Sequence, residues 1–348
     1  MNLIAYNDLI LFHKKVLTFV GLDDFSTKAV TLGLCETSLR GVDSHGIRLL
    51  PHYVESALSG RKNPRPSFEF SKKFPAVGIL DADNGFGHAA GMKAIEYCIE
   101  MADELGMGVV AVKNSSHAGA MASTALKAAR EGYIAFVFTH ADSLLLSHNG
   151  IRPYFGTNPV CVAVPREEQE PFCLDMATSK ISWNKLMVYK SEGVELPDNL
   201  AADSNGNMTC NPEEATCLLP AGSYKGYGLA AMVEVLSGVF TGMAFGRSIP
   251  GMYTAPIDKP RGLGQFYMVL RADGCIEQEQ FLERMQGMTD QVRKEPAVDG
   301  EKVMLPGDPE IEESIKRKKE GIPIDSTTLM EFEKLSKEFN ISLHLMNS

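Results

Sequence analysis

The feature that most limits what this chain can fold into is a change of hydrophobic period, repeated between residues 77 and 139. Val77–Leu80, Val109–Val112 and Ile134–Thr139 are short runs rich in β-branched and aromatic residues. Between them, His88–Leu105 and Ala118–Glu131 carry apolar residues at helical spacing. A helix between consecutive strands can shield one face of a sheet from water, so the alternation predicts a layered α/β core. Cys161–Val164, Phe172–Leu174 and Phe266–Leu270 read as further strands. Helical patterns flank this core. Two short amphipathic helices are expected over residues 5–40, with caps offered by Asp23 to Ser26, and a third over Ile47–Leu58. Another is expected over Glu277–Lys294, and two charged helices within 309–340 should fold back on the N-terminal ones. Tyr227–Phe240 reads as a very apolar helix whose small residues, among them Gly228 and Ala230, would let another element pack closely. Arg61–Pro66 reads as a basic loop, and Lys190–Pro220 as a long polar one. The expected division sets residues 1–70 with 280–348 as a helical substrate and dimer-contact segment, and 71–279 as an α/β cofactor-binding core.

A formal charge of −10 argues against nucleic acid or an anionic membrane as partner, because both are gripped by clustered Lys and Arg. A small anion needs only a local positive site. No apolar run reaches the length of a membrane span, and the N-terminal stretch lacks the basic start of a secretory leader. The cysteines stand alone, without CxxC or Cys/His pairs at ligand spacing, so no metal site is expected and a reducing, cytoplasmic location is.

The most conspicuous motif is a decoy. Gly85-Phe86-Gly87-His88-Ala89-Ala90-Gly91 follows a predicted strand and resembles a dinucleotide fingerprint. The next predicted strand, however, ends in Lys113 rather than an acid, and Asp81 and Asp83 make the approach unfavourable for a pyrophosphate. A tight turn feeding a helix is the better reading. More informative are residues at element boundaries. Ser44-His45-Gly46 sits at a loop-to-helix junction with Arg48 and Tyr53 beyond it, where a helix dipole should keep His45 switchable near neutrality. His117 follows the strand ending near Val112, at the carboxyl end where α/β sheets bind ligands. Two histidines and an arginine at such boundaries suit acid–base work on an anionic substrate. Thr157 and Asn158 lie in a turn signal, Asp175 to Ser179 end a strand with amides available to an anion, and Lys225 opens the apolar helix where a cation is misplaced against the dipole.

Taken in order, Gly41-Val42-Asp43-Ser44-His45-Gly46, Ser116-His117-Ala118-Gly119, Gly156-Thr157-Asn158-Pro159, Asp175-Met176-Ala177-Thr178, Lys225-Gly226-Tyr227-Gly228-Leu229 and Leu305-Pro306-Gly307-Asp308 resemble the malate/L-lactate dehydrogenase family of the second type. That family includes ureidoglycolate and sulfolactate dehydrogenases, diketogulonate reductase and a cyclic-imine reductase. The resemblance implies a non-Rossmann α/β fold that binds NAD or NADP, works as a homodimer or an assembly of dimers, and acts on a small carboxylic acid. Carried over by position, it makes His117 and His45 the candidates for proton transfer, with His117 favoured as donor and His45 as the residue that orients the substrate. Ser44, Arg48, Tyr53 and Met252 would contact substrate. Thr157, Asn158, Asp175, Met176, Ala177, Lys225, Pro306 and Gly307 would line the cofactor. The chain departs from the family pattern in placing Arg48 three residues after His45 rather than four, and in the strand end Thr139-His140-Ala141. Arg152 and Arg247 stand in reserve as carboxylate-binding cations. The expected reaction moves a hydride between nicotinamide and the alpha carbon of a 2-hydroxy or 2-oxo acid. The alternatives are a cyclic-imine reductase of the same family and a metal-dependent hydrolase using His45, His117, His140 or His148.

Overall fold

A seven-stranded sheet with helices on both faces organises the computed structural model, which describes residues 2–346. Its strands are β2 (Glu69–Phe74), β3 (Val77–Asp81), β4 (Met107–Ser115), β13 (Leu263–Arg271), β5 (Tyr133–Thr139), β8 (Val160–Val164) and β9 (Phe172–Met176), in that spatial order. Within this sheet only β3 and β4 pair in parallel. β13 inserts antiparallel at the centre, with Tyr267 opposite both Val110 and Val137. A dinucleotide-binding Rossmann sheet is mostly parallel, so this is the non-Rossmann layered fold that the sequence resemblance implies.

The helices α4 (Gly87–Leu105) and α5 (Ala122–Arg130) cover one face, burying Ala94, Ile95, Cys98 and Leu126 against Val110, Val112 and Val137. Alternate strand residues point the other way. Val109, Phe138 and Phe266 therefore meet Val233 of α7 (Tyr224–Glu234), which continues through a π turn over Val235–Val239. The decoy glycines prove to be packing residues. A Cβ at Gly87 would lie 2.3 Å from the Ser116 carbonyl oxygen, and one at Gly91 2.4 Å from the Tyr267 hydroxyl. They let α4 sit directly on the sheet and on the loop that carries His117.

A second core joins the two ends of the chain. α1 (Tyr6–Phe19), α2 (Asp24–Leu39) and α3 (Leu50–Leu58) pack with α10 (Ser326–Phe339), while β1 (Asn2–Ile4) pairs with β14 (Ile322–Ile324). Asp23 caps α2 through the Ser26 amide at 2.7 Å, and Asp325 caps α10 through the Thr328 amide at 2.9 Å. Of the other C-terminal helices, α9 (Asp308–Glu320) touches α2, whereas α8 (Gln278–Arg293) contributes nothing to this core.

Several elements differ from expectation. α5 begins at Ala122, not Ala118, and the irregular residues 118–121 form a cavity wall. Edge strand β2 was not anticipated, because its sequence EFSKKF has no buried face. The loop expected over 190–220 lies within a small sheet ordered β11 (Met208–Thr209), β10 (Ala201–Ala202), β12 (Cys217–Leu218), β6 (Leu145–Leu146) and β7 (Pro153–Phe155). Such strands are too short to carry a period. α6 (Trp183–Glu192) buries only Leu186 and so lacks an apolar stripe. No described helix is long and apolar enough to cross a membrane.

Candidate active site

Two loops bring the histidines together. His117 leaves the end of β4 just after Ser116, whose hydroxyl donates to the Gly85 carbonyl (2.9 Å) and accepts from the Gly87 amide (3.1 Å). That pins the loop to the start of α4. His45 ends a single 3-10 turn, Asp43–His45, held from behind by a bidentate Arg317–Asp43 pair with contacts of 2.6 and 2.9 Å. The imidazoles stack with centroids 5.8 Å apart and planes 24° from parallel. Each has a hydroxyl at Nδ1: Ser44 Oγ at 2.9 Å for His45, and Tyr53 Oη at 2.8 Å for His117.

Burial pushes the His45 pKa down to about 4, with Arg48 adding to the effect. Burial likewise holds His117 well below the usual imidazole range, helped by His45, Lys62 and Arg261. Both rings are therefore neutral near pH 7. The expectation that a helix dipole would poise His45 near neutrality gives way here: desolvation outweighs the end of one short turn.

The rings stand in a wall shared by two cavities of about 780 Å³ each. The first runs along the carboxyl ends of β5 and β9 and the amino end of β8, which runs antiparallel to both. It is lined by apolar side chains such as Met121, Leu174 and Leu263 and by the polar groups Glu36, Arg40, Lys180 and Glu310. The second holds three guanidiniums, Arg152, Arg247 and Arg261, and a single carboxylate, Asp142. Arg261 is buried, donates Nε to the Pro250 carbonyl at 2.8 Å and pairs with Asp142. Arg247 donates to the Pro153 carbonyl at 3.1 Å, and neither it nor Arg152 has a carboxylate partner among the described residues. Arg61 fastens the rim by donating to the carbonyls of Met252, Ala255 and Pro256 at 2.7–2.8 Å.

The structure places most of the sequence-predicted residues on these walls. Ser44, Asp175, Met176, Ala177, Pro306 and Gly307 line the first cavity, Met252 the second, and Thr157 both. Asp175 is solvent-exposed on the wall of the first cavity, where its carboxylate accepts the Ala122 amide at 2.8 Å at the start of α5. Desolvation raises its pKa to about 6, outweighing that hydrogen bond, and Glu310 adds to the rise. The amides expected to be available along 175–179 are partly engaged, since Thr178 bonds the Thr157 carbonyl through both its amide and its hydroxyl at 2.8 Å.

Four predicted contacts lie elsewhere. Arg48 stands exposed because Ile47 and Leu49, its neighbours in a 3-10 turn, are drawn into the helical core. Tyr53 is fully buried behind His117 and lines neither cavity. Asn158 is buried too, its amide donating to the Ala230 carbonyl (2.9 Å) and Glu234 (2.7 Å), so it ties β8 to α7 rather than facing a ligand. Lys225 is exposed on the first turn of α7, where solvent relieves its mismatch with the dipole. Sequence reading missed Arg261, Asp142, Lys180 and Glu310, none of which sits in a recognisable motif. Among the described residues no three His, Cys, Asp or Glu side chains come together as a metal-binding group.

Comparison with known proteins shows the family and the fold. The family model described as malate/L-lactate dehydrogenase matches residues 4–333. Malate dehydrogenase of Pyrococcus abyssi is 34% identical over 97% of this chain and 95% of its own length. Ureidoglycolate dehydrogenase (NAD(+)) of Escherichia coli is 35% identical over 82% of each chain. Among solved structures, malate dehydrogenase from Entamoeba histolytica superposes with a TM-score of 0.92 at 28% identity, covering 98% of this chain and 99% of that one.

Proposed function

The chain belongs to the malate/L-lactate dehydrogenase family and is an oxidoreductase acting on CH–OH groups; from that footing we propose that it moves a hydride between the nicotinamide of NAD or NADP and the alpha carbon of a small 2-hydroxy or 2-oxo acid. The observation that carries this reading is the pair of neutral imidazoles in a wall shared by two cavities, one walled largely by apolar side chains and one cationic. The first cavity suits the cofactor in its chemistry: Asp175 offers a carboxylate to ribose hydroxyls, Lys180 a cation to phosphates, and apolar walls take the rings. When bound, the dinucleotide supplies or accepts the hydride.

The second cavity suits the acid. Three guanidiniums against one carboxylate leave an excess of positive charge, which favours a substrate with a second anionic group, malate-like or sulfolactate-like, over lactate. His117 exchanges the proton of the substrate oxygen, and His45, held by Ser44, orients the carbonyl. The test is to follow reduced nicotinamide absorbance with NADH and NADPH against a panel of 2-oxo acids and a cyclic imino acid. The fastest turnover is expected with a 2-oxo acid bearing two anionic groups; turnover of none would overturn the reading.

We also propose a homodimer in the cytoplasm. Leu229, Met232, Val235, Val239 and Phe240 expose one apolar stripe along α7 and its π turn, a surface that a second copy would cover. The seven cysteines are all unbonded, which suits a reducing compartment. Light scattering should give twice the chain mass, and a Val235→Asp variant should run as a monomer.

A further inference from the structure

Glu234, on α7, is a buried carboxylate, 3% exposed, that lines neither cavity. Both of its oxygens are taken by donors from other segments. Oε2 accepts the Asn158 side-chain amide at 2.7 Å, and Oε1 accepts the Gly246 backbone amide at 2.6 Å. His140 brings a third donor to that side. Its Nε2 accepts the Gly264 amide at 2.8 Å, so the ring hydrogen sits on Nδ1, which lies 3.9 Å from Oε1. Burying a carboxylate is costly, and a glutamine would fill the same space at a lower cost. A glutamine, however, would set its own amide hydrogens against one of these donors. Only a carboxylate accepts on both sides at once.

The two bonds differ in what they hold. Asn158 is buried, donates also to the Ala230 carbonyl at 2.9 Å and accepts the Ala141 amide at 3.1 Å, so it fixes the carboxylate against the sheet. Gly246 opens a 3-10 turn, Gly246–Ser248, in which Arg247 reaches the second cavity. Phe245, Arg247 and Ser248 are all exposed, so the bond from the Gly246 amide is a main anchor of this turn. Resting on the functional reading above, we infer that Glu234 is a positioning residue that acts through the Gly246 amide on Arg247. It thereby sets how strongly the second cavity favours an acid with two anionic groups. A guanidinium grips a carboxylate well only when its planar fork is held in line with the oxygens, so the turn that carries it matters as much as its charge. With Oε1 in place the turn starts from a fixed point on α7. Without it the Gly246 amide turns to water, and Arg247 moves with the turn.

The test compares kcat/KM for oxaloacetate, with two carboxylates, and for pyruvate, with one. E234Q should lower the oxaloacetate-to-pyruvate ratio by about tenfold or more, through the KM of oxaloacetate, with NADH affinity by fluorescence titration nearly unchanged. R247A should lower the ratio by a similar factor, and E234Q added to R247A should lower it little further, because one acts through the other. Hydrogen exchange read by mass spectrometry should show residues 245–249 losing protection in E234Q. A merely structural role would weaken both substrates alike. That result, or losses that multiply in the double variant, overturns the inference. If E234Q does not fold, E234D withdraws the carboxylate by one carbon and is read in the same way; an unchanged ratio there, or in R247A, overturns it too. A wild-type protein that turns over no 2-oxo acid defeats the functional reading instead. Hydrogen exchange then decides the role of Glu234, and unchanged protection at 245–249 overturns it.

Discussion

The ring centroids of His117 and His45 stand 5.8 Å apart in the same wall, yet their supports differ, and the proposed reading gives them different work. His117 is backed by the buried Tyr53 phenol, whereas His45 is backed by Ser44 beside it in the chain. His117→Ala should therefore lose about 10²- to 10⁴-fold in kcat, the usual worth of a general acid, with NADH affinity intact. His45→Ala should weaken substrate binding as well as rate. The opposite split in steady-state kinetics would exchange the roles. Both histidines were legible from their positions at element boundaries. Tyr53 was legible as belonging to the site but not as a buried support, because whether a phenol faces a cavity or a neighbouring ring depends on residues 64 positions away.

Between elements, β13 comes very near the π turn after α7. Gly264 lies so near that a Cβ there would stand 1.8 Å from the Ser237 carbonyl oxygen and 2.5 Å from Thr241 Oγ1. Its amide donates to His140 Nε2 at 2.8 Å, linking this contact to the strand end beside the site. Gly264→Ala must push the π turn off the sheet and is expected to destabilise the fold by about 2 kcal/mol or more, read as a lowered urea midpoint. A midpoint within error of wild type would mean that the turn yields freely. The apolar helix here was legible from composition. The π turn was not, since it answers the flat face of β13 that only the folded sheet presents.

Across the whole molecule, neutral buried histidines make stability depend on pH. Burial lowers the pKa of His13 to about 4, His45 to about 4 and His88 to about 3, all from an ordinary 6.5. Their folded values lie below their unfolded ones, so protons bind the unfolded chain first as the solution is acidified. Their contribution to stability is therefore full above pH 6.5 and falls progressively down to about pH 3–4. Asp175, raised to about 6, acts in the opposite sense, but it is one group against five, since His52 and His117 are lowered as well. The melting temperature should drop steeply over this window. His13→Leu, in the helical core and lining neither cavity, should flatten the drop by roughly 3 kcal/mol at most. An unchanged slope in that variant would show that His13 does not contribute.

What the sequence by itself determined is whatever depends on neighbours along the chain. The alternation of periods specified a layered α/β core, the missing acid after Val112 ruled against a Rossmann site, and His45 and His117 marked the ends of elements. Only the tertiary structure decided which cations line the second cavity. Arg48, beside His45 in sequence, turns outward because its neighbours are buried, while Arg261 reaches the cavity paired with Asp142, 119 residues before it in the chain. It also decided that the basic loop after α3 is interior, with Arg61 met by three carbonyls and Lys62 by two rings. Hydrophobic period is a local property and survives in the sequence. Burial, pairing and the field at an imidazole are sums over groups remote in the chain, and they exist only once the chain has closed on itself.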